Sequence, residues 1–109
     1  MQRLCRELGN KDGLQASLGN QALILADRGD LDGAMALHKE KERLCRELGD
    51  KDGLAISLGN QAVILADRGD LDGAFALAEE AYRLATSSGA TALQQQIKPI
   101  LDRIRAKLR

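Results

Sequence analysis

Few residues in this chain are able to do chemistry: two cysteines, one histidine and scattered serines and carboxylates. Cys5 and Cys45 stand forty residues apart, with no second Cys or His at ligand spacing beside either. That pattern predicts reduced thiols on an inner apolar stripe rather than a metal site. His38 is the single histidine, so one chain offers no His pair, and its place on a helix-packing stripe predicts a structural role. Asp30-Leu31-Asp32-Gly33 opens like a calcium loop, but the further oxygen ligands and the closing Glu are absent at the required spacing. Helix capping accounts for these acids better. Arg28-Gly29-Asp30 spells an adhesion tripeptide but falls in a tight turn between two helical patterns. Ser17 and Ser57 lie inside helical patterns with no base spaced to activate them. Nothing assembles a nucleophile, a base and an oxyanion donor, so the expectation is no catalytic residue, no metal, no cofactor and no enzyme.

The elements that carry these residues follow from an internal repeat. Residues 3–37 and 43–77 align without a gap at a shift of 40, and only five positions differ: Asn10/Asp50, Gln15/Ala55, Ala16/Ile56, Leu23/Val63 and Met35/Phe75. Identity at this level copies indifferent residues as faithfully as essential ones, so recurrence alone assigns no role. Within one copy, Leu14, Leu18, Ala22 and Leu25 step by three or four, which makes one helical stripe; Ala34, Leu37, His38, Lys41, Leu44, Cys45 and Leu48 make a second. Between them Gly29 is placed to end the first helix in the left-handed conformation, and Asp30 to cap the second. Gly9 and Gly49 end second helices, and Asp12 and Asp52 are placed to start the next. Connections this short make neighbouring helices antiparallel. The expected fold class is all-α, with antiparallel helix hairpins stacked as an α-solenoid.

After Leu77 the repeat fades, the helix continues to about Ser88, and Gly89 stops it. Leu93, Ile97, Ile100, Leu101, Ile104 and Leu108 form one more amphipathic stripe, with a kink expected near Gln95 or Gln96 because Pro99 removes a backbone bond. This helix reads as a C-terminal cap. The organisation is thus a single repeat domain over 1–109: a partial helix at 1–9, repeats at 12–49 and 52–89, and a capping helix at 90–109. The remnant Gln2-Arg3-Leu4-Cys5-Arg6-Glu7-Leu8 has no hairpin mate. Its apolar Leu4, Cys5 and Leu8 are therefore a candidate self-association surface.

Composition excludes several classes. Lys and Arg total 16 against 16 Asp and Glu, and aromatic residues make up 2% of the 109. That balance argues against nucleic acid as a partner, with no basic excess and only one Tyr and one Phe on which to stack bases. The longest apolar run, Ala22 to Ala26, is far too short for a membrane span, and the N-terminus has no signal-peptide core. A cytoplasmic location is the expectation. Charge is uneven: Lys98, Arg103, Arg105, Lys107 and Arg109 face only Asp102 in the last twelve residues.

Leu18-Gly19-Asn20-Gln21-Ala22, Leu25 and Gly29-Asp30-Leu31-Asp32-Gly33-Ala34 resemble the tetratricopeptide repeat, more closely the longer variety found in kinesin light chain and in many bacterial repeat proteins. Leu58, Ala62, Leu65, Gly69, Ala74 and Ala81 fill the same slots in the second copy. The departures are a period of 40 instead of 34, Gln21 and Gln61 at a usually apolar slot, His38 at a usually aromatic one, and Lys41 at a small one. The resemblance implies that the first helix of each hairpin lines a concave groove, assigning that face to Ala16, Gly19, Asn20, Leu23 and Asp27, then to Ile56, Gly59, Asn60, Val63 and Asp67. It implies that Asn20 and Asn60 are rungs of a ladder hydrogen-bonding an extended peptide backbone, with Gly19 and Gly59 letting the ligand come close. An amide both donates and accepts; the other reading has these amides bonding within the solenoid or to water. These groove positions hold no Lys, and Asp27 and Asp67 repel an acidic tail, so a neutral or basic peptide is expected. Two functions result: a peptide-binding interaction module, or a scaffold segment that forms a homodimer or extends an array through its uncapped N-terminal end.

Overall fold

Four glycines set the architecture. In a computed structural model of the chain, which describes the backbone of residues 11–109 and the side chains from Ser17 onward, Gly29 and Gly69 take φ +87° and +88°. Residues other than glycine strongly disfavour that region. At each turn the backbone closes in the same way: Gly29 N–H donates to Ala26 O (3.0 Å) and Asp30 N–H to Leu25 O (2.8 Å), and Gly69 and Asp70 repeat the pair on Ala66 and Leu65. These are Schellman closures, which satisfy the last carbonyls of one helix while reversing the chain. The turns after Cys45 and Ala85 use the same two bonds through Gly49 and Gly89.

The described residues form five helices: α1 (Lys11–Asp27), α2 (Leu31–Leu48), α3 (Lys51–Asp67), α4 (Leu71–Ser87) and α5 (Thr91–Leu108). The Asp30 carboxylate accepts the Gly33 N–H (2.9 Å) at the start of α2, and Asp70 accepts that of Gly73 (3.0 Å) at the start of α4. The capping reading of Asp30-Leu31-Asp32-Gly33 therefore holds. Gly33 and Gly73 belong to the same device, since a Cβ on either meets the capping carboxylate. Asp52 differs from its expected part. The third helix begins one residue earlier, at Lys51, and Asp52 lies in its first turn, accepting the Ser88 hydroxyl (2.9 Å).

The chain divides into two compact units at Asp50/Lys51. In the first, α1 packs on α2, with Leu18 and Leu44 buried and Leu37 against them. In the second, α3 packs on α4, α4 on α5, and α3 more lightly on α5. Its core joins Ala62, Ala74, Ala78, Leu101 and Ile104, flanked by Leu65, Phe75, Leu77, Tyr82 and Ile100. Ala74, Ala78, Ala81 and Ala85 run along one stripe of α4 and are wholly buried, the small-residue seam that close helix packing requires. The last helix continues without interruption through Pro99, which is exposed. The expected partial helix at 1–9, with Leu4, Cys5 and Leu8, lies outside the described residues.

Candidate functional site

The interior holds the residues whose chemistry looked most reactive. Cys45 is wholly buried and His38 is 1% exposed. Burial, and then the charge of Lys41, push the His38 pKa down to about 4, so the imidazole is neutral at pH 7. Ser57 is also wholly buried, and its hydroxyl accepts the side-chain amide of Gln61 (3.3 Å), one turn along α3. That bond explains how a polar residue occupies an apolar slot. Among the described residues no three His, Cys, Asp or Glu side chains converge as a metal set would require.

Gly19 and Gly59 are corrected by their surroundings. Both are buried, and neither leaves space for a ligand. A Cβ on Gly19 lies 2.9 Å from Lys41 Nζ and 3.3 Å from Lys41 Cδ; one on Gly59 lies 3.8 Å from Ile97 Cγ1. Gly19 is the space through which the Lys41 side chain passes, which is how α2 carries a lysine, 8% exposed, where α4 has the wholly buried Ala81.

The described side chains at the other positions that the resemblance assigns to a groove lie on accessible surface. In the first unit α1 exposes Asn20, Leu23 and Asp27, spaced to share one face; the side chain of Ala16 lies outside the described residues. In the second unit α3 exposes Ile56, Val63 and Asp67, with Asn60 half-buried on the same face. No hydrogen bond joins the side-chain amide of Asn20 or Asn60 to another described residue. Among the described residues each amide thus keeps its donors and acceptor for solvent or a ligand, flanked by half-exposed apolar side chains.

The second unit adds residues that the sequence reading missed. Val63, Ala66, Ile100 and Ile104 floor a depression between α3 and α5, and Asp67, Arg103 and Lys107 stand at its rim. Its volume is about 40 Å³, against roughly 300 Å³ or more for a small-molecule site, so it accepts the end of a side chain and not a metabolite. The signal was present in the numbering. α1, α3 and α5 begin at 11, 51 and 91, so Ile100, Arg103 and Lys107 occupy the register of Asn60, Val63 and Asp67. A second cleft, about 210 Å³, runs between α4 and α5 beside Tyr82, Arg83 and Lys98, with Glu79 and Asp102 also on its walls.

Every helix of the described chain is too short or too polar to cross a membrane. A search among curated proteins returned no match. The family model described as tetratricopeptide repeat matches residues 13–87, more than two thirds of the chain and the same span that holds both glycine-turned hairpins. With its helix pairs, small-residue seam and glycine turns in the register that this model covers, the chain belongs to the tetratricopeptide repeat family.

Proposed function

We propose that the chain is a non-catalytic interaction module in which the first helix of each hairpin, α1 in the first unit and α3 in the second, offers its exposed face to an extended peptide. Tetratricopeptide repeats are generally protein–protein interaction modules, and one observation supports the finer reading. Asn20 and Asn60 present amides that are not bonded to other described residues, set among Leu23, Ile56 and Val63, which are 36 to 50% exposed. Amides engage peptide backbone whatever its side chains, while the apolar neighbours supply contact area. Where the ligand crosses Asp27 and Asp67 it is neutral or basic. The 40-residue period and the asparagine register favour the long-period, kinesin-light-chain-like type of repeat. The reading carries a cytoplasmic location with it, since the fold requires no oxidising compartment.

The test is selection of binders from a displayed dodecapeptide library, followed by calorimetry of a selected peptide on the chain and on Asn20→Ala with Asn60→Ala. The double variant is expected to lose roughly 1 to 3 kcal/mol of binding while keeping its helicity. Unchanged affinity removes these residues from the site, and loss of helical signal makes them structural.

A further inference from the structure

We propose that the cleft between α4 and α5 is the seat of a helix from a partner protein, one whose docking stripe reads acidic, basic, acidic. The site lies wholly within the second unit and goes beyond the peptide reading of α1 and α3.

The shape of the seat follows from register. α5 begins at 91 as α3 begins at 51, so Lys98, Asp102 and Arg105 hold the places of Leu58, Ala62 and Leu65. On α3 that stripe lies under α4: Leu58 and Ala62 are wholly buried, and Ala62 and Leu65 meet Ala74 and Ala78 in the core. On α5 the same three places are exposed, and no described helix covers them. The face that receives a second helix in a hairpin is open here, and it carries charge where α3 carries Leu and Ala.

The chemistry of the occupant follows from the two walls. Near the turn the Gln94 side-chain amide donates to Ala85 O (3.4 Å), and farther along the Arg105 guanidinium lies over Phe75, 5.6 Å from the ring centre. Those two ties fix the register of α4 against α5. They put Arg83 level with Lys98 and Glu79 level with Asp102, and all four line one cleft with Tyr82, Leu101 and Arg105. Away from the turn the walls thus read positive, negative, positive, with like sign level with like sign. Like charges held close repel, and opposite charge set between them relieves it.

These charges are available to a partner. Arg83, Lys98 and Glu79 make no ion pair with a described residue, although Glu79 and Arg83 have the spacing at which Glu42 and Arg46 pair at 3.0 Å. Asp102 and Arg105 come only within 3.7 Å. The floor is apolar, with Leu101 6% exposed, and the cleft holds about 210 Å³. A solvated cap needs only a polar outer face. Alternating charge matched on two helices over an apolar floor fits a helix that sets Glu toward Arg83 and Lys98, Lys or Arg toward Glu79 and Asp102, Glu toward Arg105, and an apolar side chain on Leu101. Charge of this kind chooses the partner more than it adds raw affinity.

The test uses the full chain, isotope-labelled and followed by NMR. It is titrated with an acetylated, amidated, alanine-based helical peptide carrying a Glu-Lys-Glu stripe at steps of four and three residues beside a leucine stripe, and with counterparts carrying Gln-Gln-Gln or Lys-Glu-Lys. The Glu-Lys-Glu peptide is expected to move resonances of Glu79, Tyr82, Arg83, Lys98 and Leu101 and to bind about fivefold more tightly than the Gln peptide, with Lys-Glu-Lys the weakest of the three. Arg83→Gln with Lys98→Gln should erase the preference, Arg83→Lys with Lys98→Arg should keep it, and raising salt should narrow it. Both pairs of substitutions are at exposed positions, and an unperturbed spectrum elsewhere shows each variant folded. Equal binding of the three peptides, a preference that survives Arg83→Gln with Lys98→Gln, or no movement of these resonances up to millimolar concentration overturns the proposal, the last leaving the face a solvated cap. None of these outcomes touches the peptide reading, which is tested at Asn20 and Asn60 with a library-selected peptide.

Discussion

Gly19 and Gly59 occupy one repeat position and are both interior to a helix, yet replacing them with alanine should have different consequences. In an unconstrained helix interior, Gly→Ala stabilises by roughly 0.5 to 1 kcal/mol through backbone entropy. At Gly59 the new methyl meets only Ile97 Cγ1 at 3.8 Å, an ordinary contact, so the full gain should appear. At Gly19 it comes within 2.9 Å of Lys41 Nζ, 3.3 Å of Cδ and 3.5 Å of Cε. The ammonium can swing aside, but the stem of a lysine only 8% exposed must shift too. Crowding in a packed interior costs about 1 kcal/mol or more, enough to cancel the gain. Lys41→Ala converts the first hairpin to the arrangement of Ala81, and in that background Gly19→Ala should recover its stabilisation. The assay is urea unfolding of the four combinations at positions 19 and 41, with Gly59→Ala alongside, followed by circular dichroism. A coupling of about 1 kcal/mol between positions 19 and 41 is expected, within the usual range for touching residues. If Gly19→Ala stabilises as much as Gly59→Ala with Lys41 present, the packing argument is wrong.

Further outcomes follow from the same contacts. His38 has its pKa lowered from 6.5 to about 4, so below pH 6.5 the unfolded chain takes up a proton that the folded chain refuses. Stability is full above that pH and falls toward pH 4, by about 2 kcal/mol after discounting for residual hydration. Unfolding at neutral pH and at pH about 4.5, for the chain and for His38→Ala, should show a smaller pH slope in the variant. Asp30→Ala and Asp70→Ala each remove a bonded helix cap and should cost about 1 kcal/mol in the same assay, with helicity otherwise retained. Pro99 is exposed inside α5, so Pro99→Ala should restore a backbone bond and raise stability by about 2 kcal/mol; an unchanged midpoint would show that α5 already absorbs the proline without cost.

The hairpins were legible because their determinants are local. Gly29 and Gly69 supply a left-handed φ, Asp30 and Asp70 supply caps, and the three-to-four spacing of Leu18, Ala22 and Leu25 marks the buried side of α1. Each is read within one turn of helix. What was not legible depended on which side chain faces another across the hairpin. Gly19 looked like room for a ligand because spacing places it beside Asn20, but its partner is Lys41, a residue whose length matters only once the hairpin closes. Gln61 looked misplaced until Ser57, one turn earlier, proved to be its hydrogen-bond partner. The part of α5 that lines the depression it shares with α3 escaped notice for another reason. Its identity to α1 and α3 is low, so the shared register of Ile100, Arg103 and Lys107 with Asn60, Val63 and Asp67 is visible only from where the helices begin.

The central claim is that the side-chain amides of Asn20 and Asn60 bind peptide backbone. Its most direct test is NMR observation of those two amide groups in the complex with a library-selected dodecapeptide. The account predicts that both shift, exchange more slowly with water and show contacts to the peptide's backbone protons. Amides that remain at their free positions and exchange rates, while the peptide is saturated on the chain, would contradict it.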